Sequence, residues 1–283
     1  MSSKSNSVMA TLITYNPDKD VLTDNLTALC GQIKKVLVYD NASDNIEDIR
    51  IVVNGFNNVI LCENEDNEGL PLNYNRAAKI AEDEGYEWLL IMDQDTIVPP
   101  NLIESFMKYS EDGQVAIATP YIWSLNYQEE EEAYADIPDE PITIVDRCIS
   151  SASMNRVSVI KELGGFKEFM FIDDVDTEFC KNVAKHGYKI IRVNECVIKH
   201  RLGAPYIKHI LGRDITLSGY PAFRYYYIIR NHIYIARKYK TSFAEETFFL
   251  KNFVKWMVKF PLEDQTMTKY KMAIKGIKDG FKL

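Results

Sequence analysis

Cysteine is scarce in this chain of 283 residues: five, at Cys30, Cys62, Cys148, Cys180 and Cys196, with no C-x-x-C pair among them. An odd number without metal-ligand spacing argues against a disulfide framework or a zinc site and reads as reduced thiols in a cytosolic protein. Long apolar runs are absent as well. None approaches the ~20 residues that span a bilayer, and no signal-peptide pattern opens the chain. Positive charge is short, with 33 Lys+Arg against 41 Asp+Glu, which makes a poor nucleic-acid binder. The shortage is uneven: residues 224–283 hold 13 basic against 5 acidic side chains, and the rest of the chain 20 against 36. A basic C-terminal quarter on an acidic body predicts two surfaces with different partners.

What is present is a globular composition, 46% hydrophobic and 26% charged, and a strand–helix alternation through the first half. Strands are expected at Val8–Tyr15, Lys35–Tyr39, Val59–Cys62, Trp88–Met92 and Val115–Thr119. Helices are expected at about 18–29, 44–53, 72–84 and 100–109. This βαβα order predicts a mostly parallel sheet flanked by helices, an α/β class, with ligands at the carboxyl ends of the strands. Four strands end in polar clusters: Thr14-Tyr15-Asn16-Pro17, Asp40-Asn41-Ala42-Ser43, Glu63-Asn64 and Asp93-Gln94-Asp95. One such cluster is ordinary turn chemistry; four in succession predict a shared ligand-binding edge. Asp93 and Asp95, one residue apart at a strand tip, suit a hard divalent cation that keeps sites open for phosphate oxygens.

Further on, the acidic run Gln128 to Glu132 reads as a solvated loop. A strand is expected at 142–149 and a helix at 156–163, stopped by Gly164-Gly165. Asp173, Asp174 and Asp176 precede a helix ending at His186-Gly187. The residues alone leave two uses open, helix capping or a general base whose pKa is raised by its acidic neighbours. His200 closes the strand that follows. Phe249, Phe253, Trp256/Met257 and Phe260 recur at helical spacing beside Lys251, Lys255 and Lys259. That helix could pack on the catalytic domain, lie on an anionic membrane, or form a homodimer contact.

In order, these pieces resemble the family 2 glycosyltransferases, inverting enzymes of the GT-A fold. The resemblance runs from about Val8 to Tyr239 and includes Asn67-Glu68-Gly69 with Asn73, and Leu163-Gly164-Gly165-Phe166. Within that family, Met92-Asp93-Gln94-Asp95-Thr96, Phe171-Ile172-Asp173 with Val175-Asp176-Thr177-Glu178, His200-Arg201-Leu202-Gly203, and Tyr225–Asn231 are most similar to bacterial rhamnosyltransferases that use dTDP-L-rhamnose. The resemblance implies a catalytic domain over 1–220 (nucleotide-sugar half about 1–122, acceptor half about 142–220) and a basic helical extension over 221–283. It implies that Thr14, Tyr15 and Asn16 line the nucleotide pocket, that Asp40 reads the base's imide N–H, and that Asn41 and Ser43 position it. Gly69 would allow close backbone approach, Asn73 would face ribose or diphosphate, and Asp93 the sugar or ribose. Asp95, assisted by His200, would bind Mg2+ or Mn2+. The base is Asp174 or Asp173: many members carry Glu-Asp here, which points to Asp174, while rhamnosyltransferase-like sequences often carry an aromatic second residue, which points to Asp173. The acceptor would be a saccharide of cell-surface polysaccharide, lipid-linked at the inner face of the membrane. A UDP-hexose donor is the alternative. A sugar nucleotidyltransferase fits less well, since Thr14-Tyr15-Asn16-Pro17 is neither glycine-rich nor basic.

Overall fold

The structure, a computed structural model, describes residues 7–124, 137–200, 206–210, 212–239 and 241–283; the side chains of Ser124, Lys199, His200 and Ile210 are outside the description. By contacts the chain forms two units, one of residues 1–171 with 175–200, the other of 172–174 with 201–283.

The first unit is an eight-stranded sheet. Its first four strands are β1 (Val8–Thr14), β2 (Val36–Asp40), β3 (Val59–Glu63) and β4 (Trp88–Met92). The remaining four are β5 (Val115–Ser124), β6 (Ile142–Val145), β7 (Ser153–Arg156) and β8 (Lys189–His200). Their spatial order is β3-β2-β1-β4-β7-β5-β8-β6. Pairs β1·β2, β2·β3, β1·β4 and β5·β8 are parallel. Every residue of β1, β2 and β4 is buried, as expected for parallel strands covered on both faces. Helices α1 (Lys19–Cys30), α2 (Ile46–Val53), α3 (Leu70–Asp83) and α4 (Leu102–Met107) supply the cover, with α5 (Val157–Glu162) and α6 (Val175–Lys185) following β7. Asp18 starts α1 by accepting the Asp20 and Val21 amides, which offsets two of the unpaired N–H groups of the first turn.

Two strands depart from the sequence expectation. The run at 142–149 stops pairing at Val145, because 146–152 turns away as a loop. Ser-Met-Asn-Arg at 153–156, too short and polar to announce itself, becomes β7, antiparallel to both β4 and β5. Arg156 anchors this strand: Nε donates to the Val115 carbonyl at 2.9 Å, Nη2 to the Ser110 and Asp112 carbonyls at 3.0 and 2.9 Å. Its guanidinium also stacks 4.2 Å from the Trp88 ring centroid.

The second unit holds an exposed hairpin, β9 (Tyr206–Ile210) and β10 (Arg213–Leu217), that the sequence reading did not anticipate. Three helices follow, α7 (Ala222–Tyr239), α8 (Phe243–Lys259) and α9 (Thr266–Gly280). Helix α9 lies close against α7 through small residues. A Cβ at Gly276 would sit 2.7 Å from the Tyr226 carbonyl oxygen, and one at Gly280 2.9 Å from Ile233 Cβ. Phe249, Phe253, Trp256 and Met257 of α8 pack with Phe260 on Tyr225, Ile229 and Ala273. That aromatic stripe is therefore internal to the second unit, packed on α7 and α9.

Candidate active site

The carboxyl ends of β1 and β2 and the start of α3 meet in a buried polar network within the first unit. Thr14 Oγ1 donates to Asp40 Oδ1 at 2.8 Å; Ser43 adds its hydroxyl at 2.5 Å and its amide to Oδ2 at 2.8 Å. Asp40 is thus buried with most of its acceptor capacity engaged. Asn73 Nδ2 donates to Asn41 Oδ1 and to the Gly69 carbonyl, both at 2.9 Å, while Asn64 Nδ2 bridges Asn41 and Asn73. Thr14, Asp40, Asn41, Ser43 and Asn73 are brought together, all of them buried. Gly69, at φ +78°, has its closest approach to protein: a Cβ there would fall 2.5 Å from the Phe171 carbonyl oxygen, and Leu70 N–H donates to that oxygen at 2.7 Å. Tyr15 and Asn16 are exposed. Tyr15 N–H donates to Gln94 Oε1 at 2.8 Å, which joins the end of β1 to the acidic strand tip after β4.

At that tip Asp95 is exposed and Asp93 half-buried. Burial, with Asp95 and Asp176 as like-charged neighbours, pushes the Asp93 carboxyl up to about 7; a hydrogen bond from Ser151 opposes the rise. Asp176, at the start of α6, accepts the Ser150 amide at 3.2 Å and the Thr177 amide at 2.7 Å. Buried Thr96 shares a 2.6 Å hydrogen bond with Ser151. Tyr74 is almost fully buried, and burial with Asp93 nearby raises its phenol. The Ser150 side chain pulls against that rise. Gln94, Ser150, Ser151, Asp176 and Tyr74 extend the residues singled out from sequence. Gln94 carried a signal there inside the Asp93-Gln94-Asp95 motif, and Asp176 as one acid of the Asp173–Asp176 run.

The donor set suits a divalent cation of the kind held by substrate phosphate. Among the described residues no group of three His, Cys, Asp or Glu side chains forms a ready-made cage. Mg2+ in particular is usually held by one or two carboxylates with water and phosphate oxygens filling the remaining positions. The raised Asp93 carboxyl beside exposed Asp95 is excess negative charge that such a cation would neutralise. Of His200 only the backbone, paired with Ser124 in the sheet, is described.

Asp173 and Asp174 belong to the second unit, where their backbone turns left-handed at φ 63° and 59°. Asp173 is clamped: Arg224 Nε lies 3.0 Å from both carboxylate oxygens and Nη2 2.8 Å from Oδ1. Burial raises its carboxyl and Arg224 pulls against that rise. Asn231 Nδ2 donates to the Ile172 and Asp173 carbonyls at 2.9 and 2.8 Å, and Arg230 holds Asn231 Oδ1 at 2.7 Å. The Arg230-Asn231 pair, at the end of the Tyr225–Asn231 segment, thus fixes a strained turn, which costs on the order of 1–3 kcal/mol per residue without such support.

Residues 10–164 match the family described as Glycosyl transferase family 2. The chain belongs to that family. A dTDP-rhamnosyl transferase, RfbF of Shigella flexneri, is 26% identical over 251 residues, 82% of this chain and 80% of that protein. S. aureus TarS 1-349, solved with UDP-GlcNAc, superposes with a TM-score of 0.61 at 16% identity over 97% of this chain and 80% of its own. GalNAc-T7, crystallised with UDP, GalNAc and Mn2+, gives 0.61 at 13% identity over 84% of this chain; the match spans half of the GalNAc-T7 chain. The shared architecture is the GT-A fold, and this family 2 member carries it with helices at its C-terminus.

Proposed function

We propose that this glycosyltransferase transfers L-rhamnose from dTDP-L-rhamnose to a saccharide acceptor of cell-surface polysaccharide, with inversion at the anomeric carbon and with Mg2+ or Mn2+. The observation that carries the donor is the likeness to the Shigella dTDP-rhamnosyl transferase across most of both chains. Tyr15 and Asn16, exposed above the Thr14–Asp40–Ser43 network, would line the nucleotide site. Asp40 has one acceptor direction left for the imide N–H that thymine and uracil share. Asp95, with Asp93 beside it and His200 assisting, would hold the cation, which when bound neutralises charge gathering on the diphosphate.

Asp174 is our choice of base. It takes the proton of the acceptor hydroxyl as that oxygen bonds to the anomeric carbon and the diphosphate leaves from the opposite side, so one displacement inverts the centre. Asp173, gripped by Arg224 through both oxygens, is better suited to hold the turn than to cycle a proton. A lipid-linked acceptor would place the enzyme peripherally at the inner face of the cell membrane.

The second reading keeps the fold and changes the donor to a UDP-hexose, in line with the TarS complex with UDP-GlcNAc. Donor hydrolysis and thermal shift across dTDP-rhamnose, UDP-glucose and UDP-GlcNAc, each with Mn2+, separate the two. A response to dTDP-rhamnose alone is the expected result; a response confined to a UDP-hexose overturns the rhamnose assignment.

A further inference from the structure

Membrane contact was one of three uses the sequence left open for the aromatic stripe of α8, and the structure turns that stripe inward. A different stripe is left outside. No residue of α8 is buried. Phe243, Leu250, Val254 and Val258 are 88%, 60%, 52% and 69% exposed. Their spacing of seven, four and four puts them on one helical face. Lys251 and Lys255, both exposed, follow Leu250 and Val254 by one residue and so border that face along its length. Helix α9 repeats the arrangement: Met267, Ile274 and Phe281 are exposed at intervals of seven. Lys271 and Lys278, also exposed, stand four residues after Met267 and Ile274, on the same side of the helix.

We infer that the outer faces of α8 and α9 form a docking surface for an anionic lipid bilayer, seated by the Phe243/Leu250/Val254/Val258 stripe and by Lys251, Lys255, Lys271 and Lys278. Among the described residues no helix is long and apolar enough to cross a membrane, so these helices would lie in the plane of the interface. Charge complementarity selects lipid over a second copy of this chain. A two-fold contact through the α8 stripe would bring Lys251 and Lys255 toward their own counterparts. The acids at the start of α8 are already engaged, Glu245 in the capping box with Ser242 and Glu246 with Thr241.

The inference refines the membrane location proposed above and does not use the transfer reaction. The test is cosedimentation of the intact protein with vesicles of phosphatidylglycerol and phosphatidylcholine, against phosphatidylcholine alone. Salt-sensitive binding to the anionic vesicles is expected. Lys251→Glu with Lys255→Glu should weaken it roughly thirty-fold, and Leu250→Ser with Val254→Ser about tenfold or more. All four positions are exposed, so melting temperature and transfer to a water-soluble acceptor should not change. Binding that ignores anionic lipid, or that neither double variant weakens, overturns the inference. So does a dimer seen by light scattering that Leu250→Ser with Val254→Ser dissociates. Vesicle binding by a protein that transfers no sugar would sink the transferase reading and leave the docking surface standing; transfer without vesicle binding does the reverse.

Discussion

The two aspartate clusters of this glycosyltransferase differ in their company. Asp93 sits among other acids, Asp95 and Asp176, and its carboxyl is pushed up to about 7. Asp173 sits against a cation, held by Arg224 on both oxygens, in a left-handed turn tied down by Asn231. A cluster with surplus negative charge gains by taking up a cation and a diphosphate. A cluster whose charge is already matched gains nothing from a metal, and its neighbour Asp174 is carried on a turn that the clamp holds rigid. In the proposed mechanism the same residue type would serve for binding in one place and for placing a base in the other.

The largest effect should come from the base. Asp174→Asn is expected to lower kcat about 10²–10⁴-fold with donor affinity kept, as read by single-turnover transfer beside nucleotide titration; an equal loss in Asp173→Asn alone would exchange the two roles. Next, Asp95→Asn should raise the Mn2+ concentration needed for half-maximal turnover on the order of a hundredfold, within the range for a lost metal contact, while Asp176→Asn should move it less. A chelator should stop wild-type turnover, and added Mn2+ should restore it.

How much of this was legible beforehand differs between the clusters. The strand tip after β4 was plain, since Trp88–Met92 is an unbroken buried run and the two acids follow it directly. The bounds of β1 to β4 and α1 to α3 fell within two residues of expectation for the same reason: apolar periodicity and turn chemistry are local. The partner of Asp173 was not legible, because Arg224 lies 51 positions away and nothing near Asp173 announces it. Nor could local pattern show that Asp40 and Asn73, expected to face ligand, spend most of their hydrogen-bonding capacity on Thr14, Ser43 and Asn41. The β7 strand escaped for a related reason, its identity being set by β4 and β5 on either side. In α8 both faces are apolar, and only packing reveals which one is internal.

A third prediction concerns pH. In metal-free protein the folded state binds the Asp93 proton more tightly than the unfolded chain does. The raised carboxyl therefore favours folding most below the unfolded value of 3.8, and that contribution is lost as pH rises through about 7. The wild-type melting temperature should fall across this interval, by the equivalent of about 4 kcal/mol. Asp93→Asn should flatten the fall, and Mn2+ with dTDP should offset it at the alkaline end. The smallest effect is expected in the other cluster. Arg224→Ala should cost about 2 kcal/mol of stability in chemical denaturation, less than a fully buried pair because the arginine keeps some contact with water. Arg224→Lys should recover only part of that, since an ammonium cannot reproduce the two-point grip.

The comparison meets its most direct test in calorimetric titration of dTDP with Mn2+ into Asp95→Asn and Asp174→Asn side by side. The account predicts that binding collapses in Asp95→Asn and stays at the wild-type level in Asp174→Asn. Intact binding in Asp95→Asn with loss in Asp174→Asn would contradict it.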